Sequence, residues 1–176
     1  LAMLPESIAV TLQVVEALER LGAPYVIGGS LAGAVHGVAR ATADADIVAD
    51  LRLEQAEAFA HCLEGAFYLD LEAIREAIRH RRSFNAIHLQ TMFKVDVFIL
   101  RERPFDRAQV VHARRHVLAT DPERTACVAS AEDTILAKLE WYRLGGQVSE
   151  RQWRDVLGLL RVQQGRLDMA YLRQWA

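Results

Sequence analysis

The sequence predicts an α+β fold: a mixed β-sheet flanked by helices, followed by a C-terminal helical segment. Three observations carry this. Short apolar runs of strand character alternate with helical stretches up to residue 129. Apolar residues at three-to-four spacing mark a helix over Pro5–Leu21, and helix caps and a glycine break mark helices in the last third. The texture changes at Ser130, dividing the chain into an α/β core over 1–129 and a helical subdomain over 130–176 packed on it.

The elements follow in order. From Pro5 to Leu21, residues Ile8, Leu12, Val15, Leu18 and Leu21 form one apolar stripe, and Gly22-Ala23-Pro24 ends the helix. Tyr25–Ile27 is a short buried strand, running into Gly28-Gly29-Ser30 and a small-residue helix from Ser30 to His36. Gly29, Gly33 and Gly37 recur every fourth residue, leaving one face bare for close backbone approach. A second strand covers Asp46–Ala49, and helices cover Leu53–Leu63 and Leu71–His80. Phe84–Gln90 and Met92–Leu100 read as paired strands; shorter ones lie at Arg115–Ala119 and Ala126–Ala129. Ser130-Ala131-Glu132-Asp133 is a helix N-terminal signature opening a helix through Leu144. Gly145-Gly146 breaks it, Ser149 caps a helix through Val162, and Leu167–Trp175 forms the last.

Composition narrows the function. The chain has 176 residues, 52% of them hydrophobic, which suits one domain with a small appendage. A net charge of −2 is not that of a strongly basic nucleic-acid binder. The runs Arg79-His80-Arg81-Arg82 and Arg114-Arg115-His116 read as solvated surface. Cys62 and Cys127 are too few and too far apart for a disulfide framework, and their apolar neighbours predict buried thiols. No signal-peptide pattern precedes Met3, where Leu1-Ala2 reads as an added remnant, and no apolar run reaches bilayer length. The expectation is a soluble, cytoplasmic protein.

The chemistry concentrates in three aspartates. On a strand, positions i and i+2 share a face, so Asp44 and Asp46 lie ~6.7 Å apart along the backbone with carboxylates able to converge. Two such charges ~4 Å apart repel by ~4 kcal/mol at an effective dielectric of about 20. A divalent cation offsets this, and all-oxygen donors select Mg²⁺ or Mn²⁺. Asp96 sits in the apolar run Lys94-Val95-Asp96-Val97-Phe98-Ile99, where an unpartnered carboxylate is costly. Beside the first pair it completes a three-carboxylate metal site. The turn Gly28-Gly29-Ser30, between strand and helix, offers N–H groups and a hydroxyl to phosphate.

This constellation resembles the nucleotidyltransferase superfamily related to DNA polymerase beta. Its signature is Gly-Gly/Ser, a spacer, then Asp-hydrophobic-Asp/Glu-hydrophobic; here Gly29-Ser30 leads after thirteen residues to Asp44-Ala45-Asp46-Ile47, with Ala45 small for its slot. The stretch from Arg40 through Thr42 to Asp46 is similar to small bacterial nucleotidyltransferase-like proteins, including toxin-type members of toxin–antitoxin pairs. The resemblance implies a nucleotidyltransferase-type sheet, catalytic and metal-binding roles for Asp44, Asp46 and Asp96, and nucleotide contacts from Gly28, Gly29, Ser30, Arg40, Thr42, Lys138 and Asp155. In it Lys138 reaches the phosphates, Asp155 positions that lysine, and Arg154-Asp155 forms the rear motif. The implied reaction moves a nucleoside monophosphate from an NTP, such as ATP, to an acceptor hydroxyl and releases pyrophosphate. The acceptor stays open between an RNA end, a protein side chain and a small molecule; a cognate partner protein is also implied. The alternative is a non-catalytic nucleotide-binding or partner protein on the same fold.

Other readings fit less well. A dinucleotide-binding fingerprint needs glycine where Ser30 stands. A nucleophile elbow lacks its second glycine after Ser30, and no Walker A lysine exists. The histidines show no zinc spacing, and His112 and His116 read as surface residues in a strand-like region.

Overall fold

Two aspartate-bearing strands lie at the centre of one seven-stranded sheet in the computed structural model, which describes residues 5–176. Met3 and the two residues before it fall outside that range. The strands are β1 (Tyr25–Ile27), β2 (Asp44–Ala49), β3 (Phe67–Tyr68), β4 (Ser83–His88), β5 (Lys94–Ile99), β6 (Arg114–Thr120) and β7 (Glu123–Val128). Their spatial order is β3-β4-β5-β2-β1-β7-β6. β2 and β5 run parallel, as do β1 and β7, and the other neighbours are antiparallel, so the sheet is mixed.

The helices are α1 (Glu6–Arg20), α2 (Gly29–Val35), α3 (Ala56–Cys62), α4 (Leu71–His80), α5 (Pro104–His112), α6 (Ala131–Leu144), α7 (Glu150–Val162) and α8 (Met169–Trp175). Alternation decides what each sheet face meets. Ala45, Ile47 and Ala49 of β2 and Val95, Val97 and Ile99 of β5 are buried in the main core with Leu12, Leu18, Phe59 and Ile74 from α1, α3 and α4. The intervening residues, Asp44, Asp46 and Val48 on β2 and Lys94, Asp96 and Phe98 on β5, are half-buried on the opposite face. A smaller apolar cluster joins the last helices: Ile135 and Leu136, Val156 and Leu159, and Leu172.

Caps set the helix ends as the side chains dictate. Ser130 Oγ accepts from the Asp133 N–H at 3.0 Å, and Ser149 and Asp168 cap α7 and α8 in the same way.

Several expectations change. β2 starts two residues before Asp46, because Asp44 and Ala45 already pair with Lys94 and Val95. Leu53–Gln55 is a tight 3₁₀ turn leading into α3. α5 occupies a stretch with no amphipathic stripe; of its residues only Asp106 is buried. His112 ends that helix rather than lying in a strand. Its ring meets Tyr171 edge-on at 4.8 Å, so it is packed rather than a surface residue. Cys62 is exposed because α3 turns its last residue away from the core, and Cys127 is half-buried because it alternates on β7 with the buried Ala126 and Val128. No helix among the described residues is long and apolar enough to cross a membrane.

Candidate active site

β1 delivers the chain to the site through a turn welded to β2. The Gly28 N–H donates to the Asp46 carbonyl at 2.9 Å, so this glycine seats the turn on the neighbouring strand. Gly29 follows with φ +56°, in the left-handed region. A Cβ at Gly29 would overlap Asp46 Oδ2 and lie 2.8 Å from its Cγ. The Asp46 carboxylate therefore rests directly on the glycine backbone. Ser30, 8% exposed, follows in the first turn of α2.

The three aspartates lie on one face of two adjacent strands. Asp46 stands opposite Asp96 in the parallel ladder, and Asp44 opposite Lys94. The Asp46 carboxyl is pushed up to about 6. Burial contributes most, then the charges of Asp44 and Asp96; Lys138 and Lys94 pull the other way. Asp44 is steadied by Thr42, whose hydroxyl lies 2.9 Å from the Asp44 carbonyl oxygen and 3.0 Å from Oδ1. Asp96 Oδ2 is paired with Lys94 Nζ at 2.9 Å, while Oδ1 is buried without a hydrogen-bond partner.

A second charged group closes the far side. Lys138, 4% exposed on α6, donates to Asp155 Oδ2 on α7 at 2.7 Å. The same oxygen accepts from Arg40 Nε at 3.3 Å, and the other end of that guanidinium donates to Ser30 Oγ. Two cations thus share one carboxylate, and a chain of contacts ties the turn at Ser30 to α6 and α7. Gly33 lies alongside it, and a Cβ there would make only ordinary contact, 4.0 Å from Lys138 Cε. Arg154 takes no part: it pairs on the surface with Glu150, and only Asp155 of that dipeptide faces inward.

No family model matches the chain, and no curated protein matches it in sequence. Solved structures do match in three dimensions. An antigenic nucleotidyltransferase-like protein from Paracoccidioides brasiliensis has a TM-score of 0.59 at 17% identity, over 91% of this chain and 78% of that one. ANT(2'')-Ia in complex with adenylyl-2''-tobramycin gives 0.58 at 14% identity, over 88% and 87%. The lincosamide antibiotic adenylyltransferase LnuA, lincomycin-bound, gives 0.55 at 12% identity, over 90% and 98%. The chain has the nucleotidyltransferase fold.

Within that nucleotidyltransferase fold, sequence reasoning overlooked Lys94. The signal was present: Lys94 and Asp96 are two apart in one strand and so share a face. The apolar residues of the run mask the polar alternation between them. Among the described residues, no three His, Cys, Asp or Glu side chains are gathered closely enough to hold a metal ion as they stand. The carboxylates share a face, with Asp96 turned to the Lys94 ammonium instead.

Proposed function

We propose that the protein is a metal-dependent nucleotidyltransferase that moves a nucleoside monophosphate from an NTP to a hydroxyl of a small-molecule acceptor. One observation carries this: Asp46 and Asp96 stand in register on parallel strands, with Asp44 on the same face and the Gly28-Gly29-Ser30 turn against Asp46.

The side chains fit a hard divalent cation. All the donors are carboxylate oxygens, Asp96 Oδ1 is buried without a partner, and burial, with the charges of Asp44 and Asp96, pushes the Asp46 carboxyl up to about 6. Asp44, Asp46 and Asp96 are the residues that would hold Mg²⁺ or Mn²⁺. When bound, the ion supplies charge stabilisation at the phosphates and the reacting oxygens.

This chain's own groups do the rest. Ser30, Arg40, Thr42 and Lys138 line the nucleotide side together with Gly28 and Gly29. Arg40 and Lys138 share the single negative charge of Asp155, leaving one positive charge over for a phosphate. In the transfer, the acceptor oxygen bonds to the α-phosphorus as the bond from that phosphorus to the bridging oxygen breaks. The hydroxyl proton passes to a carboxylate, for which Asp96 Oδ1 has a free lone pair, and pyrophosphate leaves. Positioning and charge stabilisation supply most of the rate. The segment 130–176 acts as a helical subdomain over the nucleotide, with 1–129 as the core beneath it.

The small-molecule acceptor is supported by the matched structures, which hold adenylyl-2''-tobramycin and lincomycin, and by the near-neutral charge of the chain. The test is incubation with labelled NTPs and Mg²⁺ against aminoglycosides, lincosamides, RNA and cell extract. Label is expected on a small hydroxylated molecule, and Asp46→Asn is expected to abolish it while still folding cooperatively. Nucleotide binding with no label on any acceptor would favour the non-catalytic reading instead.

A further inference from the structure

We propose that Lys94 is a tethered counter-cation of the acidic cluster, holding Asp96 until a divalent metal ion displaces it. The inference rests on the metal-binding reading of Asp44, Asp46 and Asp96. The strand register makes these four residues the corners of one patch: Asp44 opposite Lys94, Asp46 opposite Asp96. Adjacent strands lie ~4.8 Å apart, and same-face neighbours along a strand ~6.7 Å, so the Lys94 ammonium reaches the ground that a bound cation would occupy.

Lys94 Nζ already sits 2.9 Å from Asp96 Oδ2. Three carboxylates and one ammonium leave a smaller net charge on this face than the acids alone, which lowers their mutual repulsion in the absence of metal. The two partners differ in freedom. The Lys94 side chain is 39% exposed on a four-carbon stem, whereas that of Asp96 is 15% exposed and short. The lysine can swing into solvent without opening the core; the aspartate stays with β5.

Displacement has a cost, so Lys94 weakens metal binding by the empty protein. A triphosphate arriving beside the patch offers new oxygens to the freed ammonium and recovers part of that cost. Metal and NTP therefore bind with positive coupling, and Lys94 carries part of it.

The test is Mn²⁺ titration followed by electron paramagnetic resonance, with and without a non-hydrolysable NTP analogue. It compares the wild type with Lys94→Met, Lys94→Arg and Asp96→Asn. Lys94→Met is expected to bind Mn²⁺ about tenfold more tightly without nucleotide, and to gain less from the analogue, because a nearby like charge has gone. Lys94→Arg is expected to stay near wild type. Thermal melting adds a readout that needs no turnover. In chelator, Lys94→Met melts below wild type, and saturating Mn²⁺ closes the gap. Unchanged or weaker Mn²⁺ binding by Lys94→Met, with Asp96→Asn still weakening it, overturns the role of Lys94 and spares the metal reading. Mn²⁺ binding indifferent to Asp96→Asn in every protein overturns both.

Discussion

Gly29 and Asp46 occupy adjoining space so tightly that the glycine cannot carry a side chain. A Cβ there would lie 2.8 Å from Asp46 Cγ and overlap Oδ2, on a backbone held at φ +56°. Gly29→Ala thus displaces the carboxylate that the proposed reaction needs and strains the turn by about 1 kcal/mol or more. Metal-dependent transfer is expected to fall at least about 100-fold, as for a misplaced catalytic group. Gly33→Ala, whose nearest neighbours stand 3.7 and 4.0 Å away, is the control and should lose little. Equal losses in the two variants would remove the special relation of Gly29 to Asp46.

Asp46 should give the protein a metal-sensitive pH dependence. Its carboxyl is raised from 3.8 to about 6, chiefly by burial and then by Asp44 and Asp96. A raised acid binds its proton more firmly folded than unfolded. Its favourable contribution is complete below about pH 4 and is lost as pH rises to about 6. In chelator, stability should fall across that window by on the order of 2 kcal/mol, and Asp46→Asn should flatten the fall. Mn²⁺ should restore stability above the window in wild type and not in the variant. Urea titrations at stepped pH measure it, and a rise in wild-type stability over that range that depends on Asp46 would refute the assignment.

Much of this was legible from local patterns. The stripe of α1, the glycine turn after Tyr25–Ile27 and the Ser130 and Ser149 caps fixed their elements within a residue or two, because each rests on short-range chemistry. The shared face of Asp44 and Asp46 followed from strand periodicity. That Asp96 lies beside them depends on β5 pairing parallel with β2 across two helices and two strands, which only the motif resemblance anticipated. α5 was invisible because no stripe marks it, although Pro104 at its first turn was a usable sign. Arg40 joining Ser30 to Asp155 spans 115 residues of sequence and leaves no local trace.

The buried pair of Lys138 and Asp155 should respond unequally to loss of either partner. Asp155 Oδ2 serves both Lys138, at 2.7 Å, and Arg40, at 3.3 Å. Asp155→Asn leaves two cations facing each other, and is expected to cost about 3–5 kcal/mol, the range for an uncompensated buried charge. Lys138→Met leaves Asp155 with Arg40 and should cost about 1–2 kcal/mol less than that. Urea denaturation of the two variants decides it, and a larger loss in Lys138→Met would mean that Arg40 does not share the carboxylate.

Tyr171 should lock α8 to the start of α6. Its hydroxyl donates to Asp133 Oδ1 at 2.7 Å, and Ser130 Oγ donates to the other carboxylate oxygen at 2.9 Å. Asp133 is fully buried, and burial pushes its carboxyl up, a shift that these two hydrogen bonds oppose. Tyr171→Phe removes one donor and keeps the ring that packs on His112 and Trp175. The loss should be about 1–3 kcal/mol, the cost of an unmet buried acceptor. Because the carboxyl then rises further, the loss should grow as pH rises and Asp133 ionises, and shrink as pH falls and it takes up its proton. Hydrogen exchange should show Met169–Trp175 losing protection before α7 does, since Leu172, the ring contacts and the Asp168 N–H bonded to Glu132 would then hold that helix. A pH-independent loss spread evenly over α6, α7 and α8 would instead mark Tyr171 as ordinary packing.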